Sequence, residues 1–404
     1  MLIVDPVRLA RRQIEIDRER MARFPHLFER KVARMTASPL SMLRGSARLF
    51  YELLERHPAL AEGPAGDGWL VGDAHLENFG AYRANARATR ETKRSRANES
   101  IVFDLNDFDE AFVGPWRLDV VRLMTSLVLG GREIGADGPR ALGLCDGLLE
   151  SYVGAAFHRK KAPRPPPPVT ALVDTVRHRT RKQLLDARTV VVRGVRRFVR
   201  GARYQDLAPK LAAKAGKAFA KYTKKLAPAE RAPPEAFDVI DAAFRVAGTG
   251  SLGCLRVALL VRGKGGPDGA WVFDMKQEDI PSSACLVRPP KLEPGERVCE
   301  ANRACLARPP RMMGATRLRG ESMFVRRLAP QEDKLDWTRL TAADLEPLAR
   351  YLGAVLGTAH RRGARRAPDK SWNAEDRARL LARAISLAGI HEATYLAYCD
   401  LVRR

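Results

Sequence analysis

The sequence predicts an α+β protein of two or three compact units. Three observations carry this. A length of 404 residues exceeds one ordinary core. Helix-period apolar patterns fill most of residues 1–235 and 336–404, and a glycine-punctuated stretch at 236–335 alternates apolar residues as strands do. Those three ranges are the expected units, and a hydrophobic content of 45% suits a fully folded chain.

In chain order, residues 6–35 read as one charged amphipathic helix, which Ser38-Pro39 breaks before a second helix from Leu40 to Arg56. A Gly/Pro loop at 63–68 precedes a short strand, Trp69-Leu70-Val71, that runs directly into Gly72-Asp73-Ala74-His75-Leu76-Glu77-Asn78-Phe79-Gly80. Residues 83–100 are basic and aperiodic, the composition of an exposed flap. Ile101-Val102-Phe103 is a further strand delivering Asp104, Asp107 and Asp109. Helices are expected from Arg117 to Leu129, with Asp119 favouring the positive end of its dipole, and from Pro139 to Phe157.

The charge balance is lopsided. Lys and Arg number 71 against 47 Asp and Glu, a net charge of +24, which implies an anionic partner. From Ser151 to Glu235 there are 21 basic residues against five acids, so +16 of that total lies in one fifth of the chain. This segment contains a polyproline spacer at 165–168 and helix-prone stretches at 175–186 and 211–225. Solvated helix faces explain most of its individual charges, while their density allows a nucleic-acid or other anionic neighbourhood. The regular aromatic interleaving that stacks bases is missing.

The start of the chain does not resemble a secretion signal, because Met1-Leu2-Ile3-Val4 leads at once to Asp5 and a charged run. The most apolar stretch, Val120 to Gly130, is short and interrupted by Arg122, so no membrane association is expected. The six cysteines form no CxxC pair, and a reducing cytoplasm is the natural location.

After Pro233-Pro234 the pattern gives a strand at 237–246, the turn Gly248-Thr249-Gly250-Ser251-Leu252-Gly253, a strand at 254–262, a turn at 263–269 and a strand at 270–277 carrying Lys276. A GxGxxG alone is weak, and here it opens a strand where a dinucleotide-binding fold would open a helix. A glycine turn between strands followed by a strand-borne lysine is how protein kinases cover and grip nucleotide phosphates. An ordinary hairpin is the alternative for the turn taken alone. Residues 295–303 read as a helix that would bring Glu300 to Lys276, 323–328 as a strand, and 342–361 and 374–404 as helices.

Gly72-Asp73-Ala74-His75-Leu76-Glu77-Asn78 resembles the GDxHxxN core of aminoglycoside phosphotransferases and choline kinases, within the kinase-like superfamily. The resemblance implies that Asp73 is the catalytic base and Asn78 a metal ligand; His75 also matches, and a histidine two residues from the base reads as a hydrogen-bonding scaffold. In that group the second metal ligand precedes a helix-opening aspartate by twelve residues. Asp107 and Asp119 keep that spacing, which selects Asp107 over Asp104 and Asp109. Val71 departs from the histidine usual before Gly-Asp.

More of the chain is similar to the bacterial domain-of-unknown-function 2252 family. Ser38-Pro39 to Arg44-Gly45, GDAHLENFG, FDLNDFDE, the GTGSLG hairpin and the 295–303 helix carry that likeness.

Together these imply a protein-kinase-like two-lobed fold. The aspartates precede the glycine turn, the reverse of the kinase order, so a circular permutation is expected in which 336–404 returns to the first lobe. The implied cofactors are ATP and Mg²⁺. Gly248, Gly250, Ser251 and Gly253 would approach the phosphates, Lys276 would neutralise them under Glu300, and Asn78 and Asp107 would hold the metal. Arg44 is a further phosphate candidate or a surface salt bridge. The expected activity is phosphoryl transfer to a hydroxyl on a small molecule or protein. Adenylyl transfer, or a silent kinase-like protein binding nucleic acid, is the alternative.

Overall fold

A computed structural model describes residues 4–84, 101–366 and 370–403. Most of the expected flap at 83–100 therefore lies outside the described residues. The architecture mixes helix and sheet, as the patterning requires.

The first helices are shorter than periodicity suggests. α1 (Pro6–Met21) is capped by Asp5, whose carboxylate accepts from the Val7 and Arg8 amides. Phe24 precedes Pro25 and leaves the helical region (φ −140°, ψ 60°), as a residue before proline tends to, so α2 (Phe28–Met35) is a separate helix. α3 (Pro39–Gly45) is capped by Ser38, and Ser46 at φ −123° divides it from α4 (Ala47–Arg56). A single turn, α5 (Pro58–Ala61), leads to β1 (Asp67–Leu70).

After the first acidic segment come β2 (Phe79–Arg83), β3 (Ile101–Leu105) and β4 (Phe112–Pro115). β1 pairs with β4, and β2 with β3, both antiparallel. α6 (Arg117–Glu133) is apolar around nearly its whole circumference and buried throughout its middle. α7 (Gly138–Ala156) lies beside it.

The basic middle does not form one unit. Pro166 is extended and Pro167 starts a helix, α8 (Pro167–Arg177), which packs on β2 and β3; half of the expected polyproline spacer is thus a helix N-terminus. α9 (Arg181–Asp186) opens with a Thr180/Gln183 capping box. It is followed by an unexpected hairpin, β5 (Thr189–Val192) and β6 (Val195–Phe198), then β7 (Tyr204–Gln205) and α10 (Pro209–Lys224).

The main sheet adds β8 (Val239–Arg245), β9 (Arg256–Val261), β10 (Trp271–Gln277), β11 (Met313–Leu318) and β12 (Glu321–Leu328), with α11 (Pro294–Cys305) between β10 and β11. Its order is β11-β12-β10-β9-β8-β7, antiparallel throughout. A two-residue strand, β13 (Asp333–Lys334), then joins β2, and α12 (Leu345–Arg362) and α13 (Ala374–Arg403) complete the chain.

Side chains N-terminal to residue 235 share cores with the sheet. Phe219 and Tyr222 of α10 share a core with Val257, Phe273 and Val325 on one sheet face. Phe198 and Tyr204 share another with Ala258, Leu260 and Val272 on the opposite face. Residues from Arg181 to Lys224 therefore belong with the sheet, while α4, α6, α7, α11 and α12 enclose the largest core.

Candidate functional site

The first acidic segment is a turn held by hydrogen bonds to several of its backbone groups. Gly72 adopts φ +82°, and a Cβ there would lie 1.9 Å from the Glu110 carbonyl oxygen, so only glycine fits. Its amide and that of Val71 both donate to the fully buried Asp119, at 2.9 and 2.7 Å. The Gly72 carbonyl accepts from the Tyr51 hydroxyl at 2.5 Å, and the Leu76 amide donates to Ser126 Oγ at 3.2 Å. His360 stands 3.1 Å from Asp119 and is held by Tyr152 at 2.8 Å. Asp119 thus anchors the turn.

Asp73, the residue so presented, accepts from Arg122 Nε at 2.5 Å. Arg122 also donates to the Leu43 carbonyl and stacks on Phe50, 4.5 Å from its centroid. Burial raises the Asp73 carboxyl to about 7, against the opposing pull of Arg122 and with Glu110 and Asp107 adding negative charge. His75 Nδ1 accepts from the Glu77 amide, which leaves the ring proton on Nε2, 4.0 Å from Asp73. Burial first, and then Arg44, Lys334 and Arg122, keep that histidine neutral. The Asn78 side-chain nitrogen donates to the Asp73 carbonyl at 2.6 Å, so its amide oxygen is the atom that could hold a metal.

The second acidic segment meets the lysine strand here. Lys276, 7% exposed, is ion-paired with Asp109 and lies 3.3 Å from Glu278. Against the cost of burial, Lys276 holds Asp109 below the usual carboxylate range, and Asp109 and Glu278 raise the pKa of Lys276. Burial and the adjacent Asp109 raise Asp107, whose carboxylate lies 3.9 Å from Lys334. Arg297 of α11 ties the two segments together by donating to the Asp109 and Asp279 carbonyls at 2.8 and 3.0 Å, and also to that of Ala111.

A cleft of about 720 Å³ collects Asp73, His75, Asn78, Asp107, Asp109, Gly248, Gly250, Ser251 and Lys276, with Arg44 on its wall. A contiguous recess of about 400 Å³ extends from Asp107, Asp109 and Lys276 beneath β9, β10 and β12. Arg44 makes the salt bridge expected of a surface arginine, 2.7 Å to Glu77, at the cleft margin.

Other expected residues lie elsewhere. Glu300 does not meet Lys276: it is exposed and pairs with Arg303 at 2.7 Å, because Val298 and Asn302, two positions to either side, occupy the cleft-facing side of α11. Asp104 accepts from the Leu105 amide and lies 3.8 Å from Arg362, outside both cavities. Gly253 (φ +92°) packs against α1, where a Cβ would approach the Arg20 carbonyl to 2.6 Å, and does not line the cleft. The turn is further braced by Arg34, which donates to the Gly248 carbonyl.

Arg122, His360 and Arg297 were not anticipated. The available signal for Arg122 was a lone cation inside an apolar helix; a mid-helix arginine in a fully buried stretch must meet a carboxylate or carbonyls. Several arginines of the basic middle are likewise committed: Arg179 to Asp333, Arg196 to Asp186 and Asp268, and Arg200 to Asp206 and Asp241.

Among the described residues no three His, Cys, Asp or Glu side chains gather as a metal cluster, and no helix is long and apolar enough to cross a membrane. No curated protein and no solved structure matches the chain. A bacterial family, described as an uncharacterised protein conserved in bacteria (DUF2252), matches residues 23–401, nearly the full length, and the chain belongs to that family.

Proposed function

We propose that this protein is a Mg-ATP-dependent phosphotransferase with a circularly permuted, kinase-like two-lobed fold. The observation that carries the reading is the Lys276–Asp109 pair. A lysine on the second strand after a glycine turn meets an acidic segment more than 160 residues earlier, in one cleft with Asp73 and Asn78. The expected Glu300 partner for that lysine is replaced by Asp109 and Glu278.

The oxygen donors fit Mg²⁺, which takes few protein ligands and completes its shell with phosphate and water. Asn78 offers its amide oxygen, and Asp107 carries a carboxylate crowded by Asp109, a repulsion that a cation relieves. When bound, the ion would neutralise phosphate charge. Lys276 would do the same for the α- and β-phosphates, and the backbone of Gly248 and Gly250 would approach them. Asp73 would receive the acceptor's proton while Arg122 fixes its carboxylate. The acceptor oxygen bonds to the γ-phosphorus, the bond from that phosphorus to the β-bridging oxygen breaks, and ADP leaves.

A second reading is adenylyl transfer, in which the acceptor oxygen bonds to the α-phosphorus and pyrophosphate leaves. The arginines along the recess favour it. The two are separated by incubating the full chain and a cell extract with ATP labelled at either phosphate. Phosphoryl transfer moves γ-label to an acceptor and adenylyl transfer moves α-label; Asp73→Asn abolishes either while sparing ATP binding. Transfer of neither label by the wild type would refute the enzyme reading.

A further inference from the structure

The recess has a mixed lining, with Tyr82, Val298, Met313, Phe324 and Leu328 beside a cluster of charged residues on β8, β9, β10 and β12. β-strand alternation puts Arg245, Arg256, Lys276, Asp274 and Arg326 on one face of the sheet: Arg256 lies opposite Lys276, and Asp274 opposite Arg326. Farther along that face the same strands carry Ala258, Leu260 and Val272, covered by the β5–β6 hairpin.

Seven Lys and Arg line the recess against five Asp and Glu. Arg256 forks onto Asp274, Nε to Oδ1 at 2.9 Å and Nη2 to Oδ2 at 2.5 Å, and Arg245 lies 2.7 Å from the same carboxylate, so two guanidiniums share one anion. Arg188 adds a further cation to the lining, and its buried Nη1 has no hydrogen-bond partner. Burial, with Arg256 and Arg188 nearby, lowers Arg245 to about 10. Crowded, desolvated cations of this kind are stabilised by an oxyanion, which guanidinium groups can grip in bidentate fashion.

We propose that the recess is a phosphate-chain subsite: the terminal phosphates of the nucleotide enter beneath Arg245, Arg256 and Arg326, and its base stays at the outer cleft. This deepens, and rests on, the nucleotide-binding reading. A chain running inward turns the α-phosphorus toward Asp73, which is the orientation of the adenylyl-transfer reading; γ-phosphoryl transfer requires the chain to run the other way.

The test uses the full chain and three probes, inorganic triphosphate, adenosine and ATP, titrated with Mg²⁺ present. Arg188→Gln removes a cation without stranding a carboxylate. Arg326→Gln strands only Glu332, which is 20% exposed, and unchanged melting temperatures confirm that both variants fold. Triphosphate is expected to bind at least tenfold more tightly than adenosine, and each variant to weaken it about tenfold. Lys217→Gln/Lys221→Gln on the exposed face of α10 should leave it unchanged. Triphosphate binding that falls with the arginines while ATP fails to bind refutes the nucleotide reading and, with it, the placement of a nucleotide's phosphates here. ATP binding that is indifferent to both arginine variants, or adenosine binding as tightly as triphosphate, overturns the subsite and leaves the nucleotide reading standing.

Discussion

Lys276 closes an ion pair on Asp109 from 167 positions farther along the chain, and both side chains line the cleft and its recess. Removing one partner of a buried pair strands the other charge. Lys276→Met is therefore expected to destabilise the fold by about 3 kcal/mol, read by urea unfolding, and to abolish nucleotide binding. Adding Asp109→Asn should recover part of the stability loss but none of the binding.

Asp119 satisfies two backbone amides and a histidine with no exposure to solvent. Asp119→Ala leaves those donors buried without an acceptor, at about 1–3 kcal/mol for each. The expected result is a strongly lowered melting temperature, with hydrogen exchange at Val71 and Gly72 accelerated beyond that of the α6 interior.

Gly72→Ala meets both a positive φ and a backbone oxygen that has no rotamer to move aside. A loss of about 3 kcal/mol or more is expected, at the severe end for single substitutions. Gly135, also at positive φ but with open space around it, should tolerate alanine with a smaller loss of about 1 kcal/mol.

Burial, with Arg122 nearby, lowers His391 from 6.5 to about 3. Between those values the unfolded chain binds a proton that the folded chain refuses, so this contribution is complete above pH 6.5 and is lost as pH falls toward 3. His391→Leu should flatten the slope of stability against pH in that window, measured by urea unfolding at pH 4, 5, 6 and 7.

Glu300→Gln tests the corrected partner of Lys276. An exposed residue paired only with Arg303 should change stability and nucleotide affinity by less than about 0.5 kcal/mol.

What could be read from the sequence was local. Gly72, Asp73 and Asn78 lie within one turn, and the strands at 239–277 carry plain alternation, so both were legible from short-range pattern. The Glu300 assignment failed on helix phase, since proximity in sequence placed it near the lysine strand while a rotation of about 200° over two residues separates it from Val298. The choice among three aspartates was set by spacing to Asp119, and spacing cannot show which carboxylate a distant lysine reaches. The β5–β6 hairpin did leave a signal: two valine-rich runs flank Arg193-Gly194, both at positive φ, which is the turn such hairpins prefer, but the surrounding arginines masked it.

The central claim is that this cleft holds Mg-ATP, and the most direct measurement is the melting temperature of wild type and Asp107→Ala with and without Mg-ATP. At a hundredfold excess over Kd, binding stabilises the native state by about 2.7 kcal/mol. A clear upward shift in the wild type that is largely lost in Asp107→Ala is the predicted result. No shift in the wild type, or an equal shift in both proteins, would contradict it.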